Sequence, residues 1–78
     1  MDEREMARRA KAGEAAALSA LYEAYFDRVY RFVMMRVGNH HDAEDLTEEV
    51  FIRILQSISR YDEKGAPLSA WIFRIARN

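Results

Sequence analysis

The sequence predicts an all-α fold, a compact domain of three to four helices. The chain has 78 residues, which allows a single domain. It contains three glycines and one proline among many strong helix formers. Half of its residues (50%) are hydrophobic, and they recur mainly at three- and four-residue spacing. A chain this short needs an efficient core, and this pattern can supply one.

The first expected helix covers roughly residues 2–12. It is short and highly charged, and Gly13 ends its pattern because glycine readily follows a helix. We therefore divide the chain into a short charged N-terminal helix, residues 1–13, and a main helical domain, residues 14–78.

The second expected helix is the longest, from about Glu14 to Val37. Gly38 and Asn39 then provide a C-terminal stop. Apolar side chains line one face of this helix. They are Leu18, Leu21, Tyr22, Tyr25, Val29, Phe32 and Val33.

The third expected helix begins at Asp42, whose carboxylate can accept hydrogen bonds from the free amides of the first turn. Glu44 and Asp45 add negative charge near the positive end of the helix dipole. The expected buried stripe consists of Leu46, Val50, Phe51, Ile54, Leu55 and Ile58.

The last expected helix follows a loop over Ser59–Ala66, where the apolar periodicity breaks. Pro67 is expected as its first residue. Nothing near Asn78 stops the helix, so we expect the chain to be truncated there from a longer protein. Leu68, Ile72 and Ile75 should face inward, with Trp71, Arg74 and Asn78 on a neighbouring face.

The net charge of −1 conceals a segregation of charge along the chain. Residues 1–38 carry seven basic and six acidic groups. Residues 39–51 carry five acidic groups and no lysine or arginine, and residues 52–78 carry five basic and two acidic groups. The last two segments therefore have net charges of −5 and +3, which suggests two different partners. Cysteine is absent, and no apolar run approaches the roughly 18 residues of a membrane span. We expect a cytoplasmic protein with no membrane partner.

Catalytic and metal-binding constellations are weak. His40 and His41 could hold a cation together with the nearby carboxylates, but adjacent histidines do not share a helix face, and a polar turn explains them better. Asp45 and Glu48 match the carboxylate spacing of magnesium-dependent all-α nucleotide hydrolases, yet no second pair is evident. We expect no catalytic residue, metal or cofactor, and keep the hydrolase as an alternative.

An acidic docking surface is the better interpretation of the third helix. Asp45, Glu48 and Glu49 lie within about one turn, and Arg53 and Gln56 extend the polar strip. Exposed helices usually interleave positive and negative residues, whereas residues 42–51 contain no base. A solvated face would look similar, so a protein-interaction bundle without any role in nucleic-acid binding also remains open.

The loop and last helix combine aromatic rings with cations, as binding of unpaired nucleic acid requires. Each ring stacked on a base contributes about 1–3 kcal/mol, while cations neutralise phosphates. Tyr61 is the strongest candidate because a ring in a polar loop has little core to reach, and such a loop could capture a flipped base. Trp71 could pack or stack, and Phe73 is more easily explained by packing. The candidate cations are Arg60, Lys64, Arg74 and Arg77.

Three blocks resemble region 2 of bacterial extracytoplasmic-function sigma factors in content, order and spacing. They are LYEAY at 21–25, DAEDLTEEVF at 42–51 and WIFRIARN at 71–78. The resemblance extends over about residues 14–78. It implies a small helical domain that binds the clamp helices of the RNA polymerase β′ subunit and recognises the promoter minus-ten element as melted non-template strand.

The resemblance also implies roles for particular residues. The clamp-contacting motif falls on Asp45, Glu48 and Glu49, although the family usually has Gln at the position of Glu48. The base-capturing loop aligns with Arg60–Ala66, with Tyr61 at the aromatic position. Asn78 matches an asparagine that faces DNA, and Trp71 matches the family tryptophan. An anti-sigma factor is a further implied partner, and the region that reads the upstream promoter element lies outside this chain.

Overall fold

The computed structural model describes residues 1–78 as four α-helices, with no strand, within 34 × 23 × 20 Å. The all-α prediction is therefore confirmed. A 3-10 turn prolongs the third helix, and no helix is both long enough and apolar enough to cross a membrane. The elements are α1 (Glu3–Lys11), α2 (Ala15–Val37), α3 (His40–Ser57), the 3-10 turn (Ile58–Arg60) and α4 (Leu68–Arg77).

The hairpin of α2 and α3 is the largest packing unit, and its connection has only two residues. Gly38 ends α2 with a positive φ of 79°, and its N–H donates to the Met34 carbonyl at 2.9 Å. Asn39 then caps α3, since its Oδ1 accepts from the Asp42 N–H at 2.9 Å. Asp42 is therefore the third residue of the helix, and its prediction as the cap was wrong because Asn39 fills that role.

Helix α1 packs on α2, and α4 packs on both α3 and α2. Together the elements enclose a core of 17 residues, to which α1 contributes Met6, Ala7 and Ala10. Pro67 lies immediately before α4 as its N-cap, not as its first residue. The largest fully buried side chains include Tyr25, Leu21, Ile54, Ile72, Val29 and Val50.

The buried stripe of α3 differs from the predicted one. Leu46 and Leu55, expected inside, are 38% and 49% exposed, and Tyr22 of α2 is 38% exposed. The positions that do face the core include Ala43 and Thr47, both fully buried. Neighbouring helices cover only one side of α3, so the small and polar residues on that side are buried while the leucines beside it are not.

Candidate functional site

The acidic ridge, defined as Asp45, Glu48 and Glu49, lies on the solvent side of α3. All three side chains are exposed. The structure contains four ion pairs, of which only one reaches the ridge, between His41 Nε2 and Asp45 Oδ2 at 3.7 Å. No lysine or arginine neutralises the ridge, so its carboxylates are available to a basic partner.

One carboxylate of the ridge is oriented by α2. The Tyr22 hydroxyl donates a hydrogen bond to Glu48 Oε1 at 2.8 Å. The hydrogen bond, followed by burial and the carboxylate charge, raises the pKa of Tyr22. The Tyr22 ring is itself held against Phe51 and Phe26, at centroid distances of 4.8 and 5.2 Å. This arrangement fixes one oxygen of Glu48 and leaves the other for a partner.

Apolar side chains extend the ridge, and the sequence pattern did not predict their role. Ile52 is 53% exposed and follows Glu48 and Glu49 by four and three residues, which places it on the same helix face. Leu55 and Leu46 flank this face. The sequence does contain a signal for this role: Ile52 lies outside the predicted buried stripe and shares a helix face with Glu48 and Glu49. Exposed apolar groups within a polar rim are typical of protein interfaces.

The remaining two residues of the predicted docking strip differ in exposure. Gln56 is exposed, whereas Arg53 is half-buried. Arg53 lines an open groove together with Leu46, Glu49, Ile52 and Asn78. The end of α4 therefore lies beside the face of α3 that carries the ridge.

The prediction that Tyr61 is exposed was wrong. Its side chain is only 5% exposed, its hydroxyl donates to the Ala66 carbonyl at 2.8 Å, and its ring packs against Trp71 at 5.3 Å. Burial, and then the charges of nearby carboxylates, raise its pKa. The short loop folds back, so the ring packs on Trp71 of α4 and lines a small groove together with Glu3 and Ala7 of α1.

Trp71 is also buried, at 9% exposure, so in this conformation neither ring offers a face to a base. Of the two roles considered for Trp71, packing is the one observed here.

The cations predicted to bind nucleic acid are exposed and free of ion pairs. Arg74 and Arg77 lie on the solvent side of α4, while Arg60 ends the 3-10 turn and Lys64 lies in the loop. The loop is tied to α1 by Lys11 Nζ, 3.4 Å from Glu63 Oε1. The structure thus separates the exposed cations from the rings with which the sequence grouped them. Asn78 is likewise exposed.

The histidines do not form a ligand cluster. His40 Nδ1 shares a hydrogen bond of 2.6 Å with the Tyr30 hydroxyl, and His41 lies beside Asp45. No group of three or more histidine, aspartate or glutamate side chains is arranged to hold a metal ion. The hydrolase alternative therefore gains no ligand set from the geometry.

Comparison with known proteins identifies a family and its relatives. The family model described as "Sigma-70 region 2" matches residues 21–78. The chain is 47% identical over 74 residues to the ECF RNA polymerase sigma factor BldN of Streptomyces coelicolor, covering 95% of this chain and 28% of the relative.

Two further relatives have the same description. The chain is 41% identical over 69 residues to SigE of Mycolicibacterium smegmatis, covering 85% of this chain and 26% of the relative. It is 35% identical over 68 residues to SigW of Bacillus subtilis, covering 87% and 36%. The chain thus spans about a quarter to a third of the length of these curated relatives. No solved structure matches it significantly.

Proposed function

Since the chain belongs to the sigma-70 region 2 family, as the region 2 domain of an extracytoplasmic-function sigma factor, we propose that it binds RNA polymerase and promoter DNA at transcription initiation. It acts by binding, not by catalysis, in the cytoplasm where the polymerase is found. The observation that carries the proposal is the acidic ridge, exposed and unneutralised within the segment that the family matches.

The polymerase surface consists of the acidic ridge with Ile52 and Gln56. A partner that fits it is a basic helical surface with an apolar centre, and we assign it to the clamp helices of the β′ subunit. Ile52 would lose its exposed area to the partner, and the surrounding carboxylates would pair with arginine or lysine. Tyr22 favours this step because it already restricts Glu48, so less side-chain freedom is lost on binding. Arg53 and Leu55 lie at the margin.

The DNA surface binds the non-template strand of the minus-ten element through its phosphates. Arg74 and Arg77 of α4 are exposed and unpaired, and Arg60, Lys64 and Asn78 add to the same function. Both Tyr61 and Trp71 are buried in this conformation. Their rings would therefore reach a base only after the loop that follows the 3-10 turn rearranges. An anti-sigma factor that covers either surface would inhibit the domain.

Binding to a β′ clamp-helix fragment tests the polymerase surface. We expect Asp45→Arg and Glu48→Lys to weaken binding at least about tenfold, about 1.4 kcal/mol, because each places a cation against a basic partner. Glu23→Arg is the matched control, since Glu23 is an exposed carboxylate of α2 in no ion pair. If both ridge variants bind as well as the control, the assignment of this surface is wrong.

A protein-interaction domain without DNA binding is the second candidate, and the burial of Tyr61 and Trp71 favours it. Salt-dependent binding of a single-stranded minus-ten oligonucleotide discriminates the two. The sigma proposal expects affinity that falls steeply with salt and is reduced by replacing Arg74 and Arg77 with glutamine. The second candidate expects clamp binding but no such dependence.

A further inference from the structure

The second half of α2 is basic, although basic and acidic groups nearly balance over residues 1–38 as a whole. From Arg28 to Gly38 the chain carries three arginines and no carboxylate side chain. From Leu68 to Asn78, α4 and its last residue carry two arginines and again no carboxylate side chain. The two helices pack against each other. Their contact therefore places five arginines on neighbouring surfaces.

Aromatic contacts join these two surfaces. The rings of Phe32 on α2 and Phe73 on α4 meet edge to face, with centroids 5.7 Å apart. The Arg28 guanidinium lies 4.6 Å from the Tyr25 ring centroid and 5.7 Å from that of Phe73. Arg28 therefore spans the boundary between the helices.

Arg36 is held in a similar way about two turns further along α2. Its guanidinium lies 5.1 Å from the Phe32 ring centroid, and its Nη1 donates to the Arg77 carbonyl at 3.5 Å. Arg28 and Arg36 are thus both positioned against α4, at a separation of about 12 Å along α2. Arg31, by contrast, is not stacked on any aromatic ring.

The two guanidiniums remain free to bind an anion. A ring face attracts the charge of a guanidinium but leaves most of its N–H donors unused. Neither Arg28 nor Arg36 is in an ion pair, and both are exposed. Stacking also restricts the side chains before any ligand arrives, which lowers the entropy cost of binding.

We propose that Arg28 and Arg36 of α2 bind DNA phosphates, extending the α4 surface of Arg74 and Arg77 across the boundary between the helices. This inference rests on the proposed function and deepens it, because it adds a second helix to the DNA surface. The occupant is a DNA backbone and not an isolated anion, since the four arginines form one continuous surface over two helices. At a separation of about 12 Å along α2, the two guanidiniums would bind different phosphates of the backbone.

The salt dependence of oligonucleotide binding by the 78-residue chain tests the proposal. The variant Arg28→Gln/Arg36→Gln should lower the slope of log K against log salt by about 1.4 for a single strand and about 1.8 for a duplex, which corresponds to two phosphate contacts. The control Arg4→Gln/Arg8→Gln removes the same charge from exposed positions on α1 and should change the slope little. Running both oligonucleotides shows which form of DNA the surface takes.

A role limited to folding is excluded by Arg28→Lys/Arg36→Lys, which keeps the charge and should keep most of the slope. An unchanged slope in the glutamine variant, or an equal loss in the α1 control, overturns the inference. The inference is also overturned if the glutamine variant loses binding to polyglutamate but keeps binding to DNA, because that result would indicate an acidic protein partner. Failure of the proposed function would be recognised by different results. Either Arg74→Gln/Arg77→Gln would bind DNA as well as the parent chain, or Asp45→Arg would bind the clamp helices as well as the parent chain.

Discussion

Tyr25 connects the core to α1 and gives the fold a dependence on alkaline pH. The ring is 2% exposed, and its hydroxyl donates to the Glu3 carboxylate. Burial first, then this hydrogen bond and the charge of Glu3, raise the pKa of Tyr25 from 10.0 to about 12, against a smaller opposing effect of Arg28. The folded state therefore favours the protonated phenol more strongly than the unfolded state does.

This shift predicts how stability changes with pH. The contribution of Tyr25 is fully present below pH 10 and is lost as the pH rises from 10 to about 12, because the unfolded chain ionises first. We expect the free energy of unfolding in urea to fall over this range, and to fall less steeply in Tyr25→Phe. Tyr22 and Tyr61 have raised pKa values too, so part of the fall remains. Equal falls in both proteins would contradict the assignment to Tyr25.

Thr47 carries the one buried side-chain polar atom without a hydrogen-bond partner. It is fully buried on the core side of α3, where an unpaired hydroxyl costs about 1–3 kcal/mol. Thr47→Val keeps the shape and removes the hydroxyl, so we expect thermal or urea unfolding to show a gain of about 1 kcal/mol. Thr47→Ser is the control, since it keeps the hydroxyl and should lose about 1 kcal/mol with the methyl group. A destabilised valine variant would reveal a partner for the hydroxyl in solution.

Tyr61 shows how burial changes the meaning of a mutation. In an exposed loop, Tyr61→Ala would report base stacking directly. In this structure it would remove a buried ring packed on Trp71 and cost about 3–5 kcal/mol of stability, so lost DNA binding would follow from unfolding. Tyr61→Phe removes only the hydrogen bond to the Ala66 carbonyl and is the more informative change for the loop.

At the scale of elements, the sequence predicted the existence and order of all four helices, because three- and four-residue apolar spacing marks α2, α3 and α4, and Gly13 ends the charged segment of α1. It predicted only part of the buried side of α3: Val50, Phe51, Ile54 and Ile58 face the core as expected, whereas Leu46 and Leu55 do not. Leu46 and Leu55 are the more hydrophobic residues, yet Ala43 and Thr47 take the core positions. Periodicity defines a face, but packing against α2 and α4 selects its exact direction, and that selection depends on residues distant in sequence. The burial of Tyr61 depends on α1 in the same way.

The hairpin of α2 and α3 depends on a left-handed residue at Gly38. Its φ of 79° disfavours any side chain, although an added Cβ would meet no atom within 4 Å. Gly38→Ala should therefore cost about 1–2 kcal/mol in unfolding free energy through backbone strain alone. Gly65→Ala is the control, because its φ is not positive and its nearest neighbours lie at an ordinary 3.5 Å. Equal stability of the two variants would show that α2 can end in another way.

At the scale of the molecule, opposite charges are separated onto surfaces that meet at the end of α4. The sequence predicted this separation from the net charges of −5 and +3, and the structure places the carboxylates on α3 and two arginines on α4. It did not predict the contribution of α2. The charges of Arg28, Arg31 and Arg36 were hidden in the sum by six carboxylates, all of which precede Arg28 in the chain. Only the packing of α2 on α4 brings Arg28 and Arg36 to the basic surface.

Glu49 lies where the two surfaces meet, in the groove that also includes Arg53 and Asn78. Its charge should attract a basic polymerase surface and repel a DNA strand held along α4. We therefore expect Glu49→Gln to have opposite effects on the two ligands. Clamp-helix binding should weaken, while binding of a single-stranded oligonucleotide should strengthen by about twofold at low salt and return to the parent value at high salt, since exposed charges beyond about 10 Å are screened.

The matched control is Glu44→Gln, which removes the same charge from α3 but in the groove beside Phe26 and Tyr30 of α2. It should change oligonucleotide binding less than Glu49→Gln does, because it faces away from α4. Titrations of both variants with each ligand at two salt concentrations make the comparison. If Glu49→Gln weakens both ligands, or if Glu44→Gln strengthens DNA binding equally, the two surfaces are not arranged side by side as the structure indicates. Opposite changes confined to Glu49 would mean that one carboxylate at their border balances the two affinities.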